Sequence, residues 1–298
     1  MTDAPNGSDD VDEIGTANES RTTVLKLGGS VVTDKAKPET VDEASLGRAA
    51  DAIAAHVGAD GSPRAADAAD AGDTANAATE NVSAIDGGAG LVLVHGGGSF
   101  GHYHANEHDV STTAGTHDAA AARAIHDAMG RLDDRVLDAF HRRDVPALPV
   151  DPLSGGARDE TGELTLSTTA VSGMLGEGFV PVVQADVVAH AGSGATIVSG
   201  DELVTLLATR LGASRVGLCS TVPGVFDANG VVIDRIASLE RAGEYLGASE
   251  ATDVTGGMYG KIEQLFSLDV PASVFGLSSL EDFLAGEAPG TLVHRRSR

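Results

Sequence analysis

Four consecutive apolar residues, Leu91-Val92-Leu93-Val94, run straight into His95-Gly96-Gly97-Gly98-Ser99-Phe100-Gly101-His102. A short apolar run, partly β-branched and ended by glycines, predicts a strand buried on both faces, as the strands of parallel sheets are. Glycines at its end offer backbone N–H groups with no Cβ in the way. Open α/β sheets bind ligands at the strand ends, and bare N–H groups favour an anion. This one stretch therefore constrains both the fold class and the charge of the ligand.

The rest of the chain agrees. Thr23 to Val32 reads as a strand interrupted by Gly28-Gly29, with a polar loop over Thr33 to Thr40 and helical spacing over Val41 to Val57. A long amphipathic helix is predicted over Thr116 to Arg143, with Ile125, Met129, Leu132, Val136, Leu137 and Phe140 as its stripe. Strands follow at Val145 to Val150 and Phe179 to Val183, the second ending in Gln184-Ala185-Asp186. Gly173 to Gly178 reads as a turn. Gly200-Asp201 opens a helix through Leu211, and Val216 to Ser220 is a strand. A helix after Asp253 to Gly257 holds Lys261, and Ala272 to Leu277 and Thr291 to Val293 are the last strands. Strands alternating with helices predict an α/β fold with a mainly parallel sheet covered on both faces.

Two segments stand apart. Residues 1–21 form an acidic, polar leader, and residues 59–89 an Ala/Asp-rich insertion with almost no large apolar residue. Neither buries enough to offset its ordering entropy, so both are expected to be disordered beside a folded domain over 22–298. Residues 1–20 and 59–89 together hold eleven of the 24 excess negative charges.

A net charge of −24 argues against nucleic acid as a partner. It suits a salt-rich cytoplasm, where acidic surfaces stay hydrated and self-repulsion is screened. No 18-residue apolar run or signal peptide is visible, so no membrane association is expected. One Cys, Cys219, allows no internal disulfide, and no Cys/His spacing suggests a zinc site, so no metal ligand is assigned. Of the 20 basic residues, only Lys26, Lys35, Lys37 and Lys261 are Lys. Lysines retained in so Lys-poor a chain are candidates for roles that Arg cannot fill, such as following a moving phosphoryl group.

Gly96-x-Gly98-x-x-Gly101 matches a dinucleotide fingerprint literally, but a long helix occupies the region where the ribose-binding acid should lie. No Gly-x4-Gly-Lys-[Ser/Thr] occurs, which excludes a P-loop. Lys26-Leu27-Gly28-Gly29-Ser30 and Gly256-Gly257-Met258-x-x-Lys261 each pair glycines with a Lys. A Lys one turn into a helix is locally unfavourable, and a bound phosphate would repair that.

KLGGSVVTDK, HGGGSFGH, VPVVQAD, SGDE and DVTGGMYGK together resemble the amino acid kinase superfamily, essentially over Thr22 to Val293. The Ser-Phe-Gly-His102 ending most resembles the isopentenyl phosphate kinases within it. The resemblance implies a three-layer αβα sandwich, ATP with Mg²⁺, isopentenyl phosphate as acceptor, a homodimer, and a haloarchaeal source. It implies that Lys26, Leu27, Gly28, Gly29 and Ser30 embrace ATP phosphates, with Gly98, Gly257 and Lys261 completing that site. Lys35 is implied as the transition-state-stabilising lysine, and Gly97 and His102, ending the glycine loop, as holders of the acceptor phosphate. Asp186 fits an acid that orients the lysines, although Gln-Ala-Asp stands where Gly-Asp is expected. Lys37 reads as a solvated loop residue. His95 reads as structural, and His104, His108 and His117 as surface or loop residues.

Two rivals remain. One is a related kinase acting on a carboxylate, carbamate, nucleotide or phosphonate. The other is a non-catalytic anion-binding protein on the same fold, which would not need to keep three lysines.

Overall fold

The computed structural model describes residues 22–59, 90–246 and 257–295. The leader and nearly all of the insertion lie outside the described residues. In chain order the elements are β1 Thr23–Leu27, α1 Gly29–Val32, α2 Glu43–Ala59, β2 Leu91–His95, α3 Gly98–Glu107, α4 Ala119–His141, β3 Ala147–Val150, α5 Pro152–Gly155, β4 Gly156–Arg158, β5 Leu164–Leu166, α6 Thr169–Gly176 and β6 Val180–Gln184. They continue with β7 Asp186–His190, β8 Gly194–Val198, α7 Gly200–Leu211, β9 Arg215–Ser220, β10 Arg235–Ile236, α8 Leu239–Leu246, α9 Gly257–Phe266, β11 Ala272–Gly276, α10 Leu280–Leu284 and β12 Thr291–Val293.

Eight strands form the main sheet in the order β10-β12-β11-β9-β1-β2-β6-β3, and only the β11–β12 pair is antiparallel. Alternation along the central strands sends Leu25, Leu27, Leu91 and Leu93 into one apolar cluster with residues of α2, α4 and α10. Val24, Val92 and Val94 enter the other, with residues of α7, α8 and α9. Each strand is buried on both faces because helices cover both, so it reads as a continuous apolar run. This is the expected αβα sandwich.

Three expectations need correction. The chain does not resume a strand after Gly28-Gly29: Gly29–Val32 is a helical turn that buries Val31 and Val32. Gly173 and Gly176 belong to α6, and only Gly178, with φ +78, makes the turn. Asp186 does not close a strand but opens β7. This strand belongs to a second sheet, β5-β4-β7-β8, whose β4–β5 and β7–β8 pairs are antiparallel. Its strands are short and split by Gly-rich turns, so their pattern is too brief to separate from loop.

Candidate active site

Three strand ends build the site. β1 lies between β9 and β2, with Leu27 opposite both Cys219 and His95. The turns that follow β1 and β2 therefore emerge side by side. A Cβ on Gly29 would lie 2.3 Å from Gly98 N, and one on Gly96 would lie 2.8 Å from Gly29 N. Gly98 has φ +48, and a Cβ there would meet Thr33 Oγ1 at 2.2 Å. No side chain fits these contacts, so the glycines serve first to let two backbones touch. Thr33 joins them: its hydroxyl donates to Gly29 O at 2.7 Å and accepts from Ser99 N at 2.9 Å. Helix α3 begins at Gly98, so the glycine loop is shorter than expected and His102 stands in the helix rather than at the loop's end. The first N–H groups of a helix have no carbonyl of their own helix to bond, which leaves those of Gly29, Ser30 and Gly98 for an anion.

Leu27 is the one residue of its motif that faces elsewhere. Its side chain is in the core, and its carbonyl accepts from Gly96 N at 3.1 Å. It fixes the two turns together and does not reach a ligand through its side chain.

Lys26 leaves β1 on the α7 face. Gly200 makes room for it, since a Cβ there would lie 3.0 Å from Lys26 Cε. Its Nζ donates to Asp201 Oδ1 at 2.6 Å, and Lys261 Nζ donates to Asp201 Oδ2 at 2.7 Å. Lys261 reaches across from α9, which Gly257 opens. Asp201 thus holds the lysines, in place of Asp186. Its position is set by the capping box of α7: Ser199 Oγ accepts from Glu202 N, and Glu202 Oε2 accepts from Ser199 N. Glu202 is itself held by Arg158 at 2.6 Å.

Burial pushes the Lys26 ammonium below its ordinary value, and Asp201 offsets this only partly while Lys261 adds to it. Burial pushes the Asp201 carboxyl up, but the two ammonium groups outweigh that and hold it below the usual carboxylate range. Two cations share one carboxylate, so the node carries surplus positive charge where an anion would dock.

His102 faces the same charge. Its imidazole is held below its ordinary value, by desolvation first and then by Lys35, Lys261 and Lys26. Asp201 thus joins Lys26 and Lys261, while His102, exposed on α3, and Lys35 lie near enough for their charges to interact. Lys35 sits in an exposed turn that rests on α3: Glu39 N donates to Ser99 O at 3.2 Å, and Thr40 N to Ser99 Oγ at 3.3 Å. Glu39 pins this turn. It accepts two hydrogen bonds from Arg131 and one from His104, which together hold its carboxyl below the usual range. Lys37 pairs with Asp34 at 3.3 Å and is exposed, as a solvated loop residue should be. An open cleft of about 580 Å³, lined by Ser30, Thr33, Lys35 and Thr221 among others, runs beside the turn.

Asp186 lies elsewhere. Its carboxylate accepts from Val187 N at 2.7 Å and faces His126 Nδ1 at 2.9 Å and Gln184 Nε2 at 3.3 Å. Burial pushes it up, against the Val187 amide and His126, while Asp151 adds to the rise. It braces α4 against β7 and touches no lysine. His95 is structural as expected: its Nε2 lies 3.0 Å from Asp133 of α4, with both residues buried. Cys219 is buried, which pushes its thiol up to about 12. Sequence reasoning missed Asp201, Thr33 and Glu39. For Asp201 a signal existed, because Ser199-x-x-Glu202 marks a helix start and places the intervening acid in the first turn.

The profile of the amino acid kinase family matches residues 21–268. The isopentenyl phosphate kinase of Haloferax volcanii is 55% identical over 270 residues, covering 91% of this chain and 97% of that protein. That of Methanocaldococcus jannaschii is 30% identical, covering 91% and 98%. An X-ray structure of isopentenyl phosphate kinase superposes with a TM-score of 0.70 at 26% identity, covering 91% of this chain and 99% of its own. With similarity running nearly end to end, and Lys26 and Lys261 joined on Asp201, the chain belongs to the amino acid kinase family and, within it, to the isopentenyl phosphate kinases.

Proposed function

We propose that the chain transfers the γ-phosphoryl group of ATP to isopentenyl phosphate, releasing isopentenyl diphosphate and ADP within isoprenoid biosynthesis. The observation that carries this reading is the node at the end of β1 in which Lys26 and Lys261 both donate to Asp201. A phosphate acceptor is already nucleophilic and needs no strong general base. What it needs is help in approaching a second anion, and the site is built of positive charge and N–H groups for that purpose.

Each part has a distinct task. The N–H groups of Gly29, Ser30 and Gly98 take phosphate oxygens of the nucleotide. Asp201 keeps Lys26 and Lys261 apart and aimed. Lys35 meets the migrating group from the exposed turn. Gly97 and His102 hold the acceptor, with His102 donating from one nitrogen of a neutral ring. The first N–H groups of α1 and α3, which have no carbonyl of their own helix to bond, suit phosphate oxygens. Mg²⁺ supplies charge neutralisation between phosphates when bound. Both oxygens of Asp201 are engaged by lysines, so the ion is held chiefly by the nucleotide.

The acidic composition supports work in a salt-rich cytoplasm, and family resemblance supports a homodimer. No helix among the described residues is long and apolar enough to cross a membrane. An acceptor panel with Mg·ATP in high salt tests the reading. Isopentenyl phosphate should be preferred to acetylglutamate, carbamate and UMP by more than a hundredfold in kcat/KM, about 3 kcal/mol. Equal turnover of any of the three would overturn it.

A further inference from the structure

A second cluster of polar side chains lies on α3, facing away from the lysine node. His104, Glu107 and His108 stand at i, i+3 and i+4 over the end of the helix, so helical geometry brings them to one face. One ligand atom of each lies within 4.8 Å of the others. The sequence reading asked for Cys/His spacing and passed over this pattern, His-x-x-Glu-His.

The neighbours of His104 restrict its chemistry. Its Nε2 lies 2.6 Å from Glu39 Oε1, and an ionised carboxylate only accepts, so Nε2 carries a proton. In the neutral ring Nδ1 is then a free lone pair. It is buried and has no hydrogen-bond partner among the described residues. The polar atom facing it is Glu107 Oε2 at 3.3 Å. A lone pair opposed to a carboxylate oxygen repels it unless a cation lies between them. A carboxylate receiving the far N–H of an imidazole is also how metal-ligating histidines are oriented. Here that carboxylate is itself fixed by two hydrogen bonds from Arg131.

We propose that His104 Nδ1, a carboxylate oxygen of Glu107 and one ring nitrogen of His108 bind a divalent transition-metal ion of the zinc class. Two imidazoles and one carboxylate suit Zn²⁺, Co²⁺ or Ni²⁺ over Mg²⁺ or Ca²⁺, which prefer oxygen ligands throughout. Water completes the coordination sphere. Glu39 closes the turn that carries Lys35, so the ion stiffens the link between the end of α3 and that turn.

The test uses chelator-treated full-length protein without nucleotide, titrated with Co²⁺ by visible absorption and with Zn²⁺ by calorimetry. One equivalent of each should bind, with the absorption bands of Co²⁺ in low coordination. Glu107→Gln and His108→Ala change partly exposed side chains and should fold normally by circular dichroism. Each should weaken uptake at least tenfold and abolish the bands. Glu39→Gln should weaken binding by roughly 10–100-fold while the bands persist, as loss of a supporting carboxylate does. Absence of stoichiometric uptake, or equal uptake by His108→Ala, would overturn the site. His104 would then be an imidazolium shared between two carboxylates, and nitrogen NMR would find both ring nitrogens protonated at neutral pH.

Discussion

Asp201 and Asp186 are both largely buried acids near the start of an element, one in α7 after β8 and the other in β7 after β6, and they behave in opposite ways. Asp201, in the first turn of α7, meets two lysines at 2.6 and 2.7 Å and is held below the usual carboxylate range. Asp186, at the head of β7, meets a histidine and an amide and is pushed above that range. Burial raises both. What separates them is whether cations outweigh the lost hydration. Ionisation of Asp201 therefore favours the folded state, whereas ionisation of Asp186 opposes it. One acid is wired to the site, and the other braces the scaffold beneath it.

The largest test removes lysines assigned to the site. Lys261→Ala and Lys35→Ala should each lower kcat on the order of 10²–10³, as loss of one preorganised donor does. Lys37→Ala should stay within about threefold, or about 0.7 kcal/mol. Steady-state kinetics on the three variants checks this, and a costlier Lys37 would move the catalytic role along the turn.

His102→Ala comes next. It should cost about 2–4 kcal/mol in acceptor kcat/KM with KM for ATP nearly unchanged, as its proposed role in holding the acceptor requires. Proton NMR should find the His102 midpoint below its ordinary 6.5 in the free protein and higher once a phosphate dianion is bound.

The two acids can then be compared directly. Asp201→Asn leaves Lys26 buried without the countercharge of Asp201, and should cost about 1–3 kcal/mol of stability together with a fall in kcat. The stability that Asp201 contributes is complete above the ordinary value of 3.8 and lost as pH falls through its lower native value. The Asn variant should lack that acid limb in thermal melts.

Asp186→Asn should show the smallest effect, with kcat within about threefold of wild type. Its sign with pH is reversed. The native state holds the Asp186 proton more tightly, so its contribution is greatest below 3.8 and is lost as pH rises through the raised native value. A kcat loss for Asp186→Asn as large as that for Asp201→Asn would erase the distinction.

Much of this molecule was legible residue by residue. Local periodicity decides which face of a strand or helix is apolar, and that information lies within a few residues. Hence β2, α4, β9 and β11 fall close to where the pattern put them, and α7 runs from Gly200 to Leu211 as read. The scarcity of Lys likewise singled out Lys26, Lys35, Lys37 and Lys261, because residue choice needs no geometry to be seen, although it did not tell the exposed Lys37 from the rest.

Tertiary structure decided the rest. Lys26 and Asp201 are 175 residues apart, and nothing local to either says that they meet. They meet because β1 is seated between β2 and β9 while α7 packs across its face, an arrangement fixed only when the whole sheet closes. The glycines were read as a cradle for an anion, yet their first duty is to let Gly29 and Gly98 touch, a contact between segments about seventy residues apart in sequence. Asp186 read as a lysine partner because its motif resembled one. The fold gave it to His126 instead, since a carboxylate's role is set by the charges that packing brings within a few ångströms.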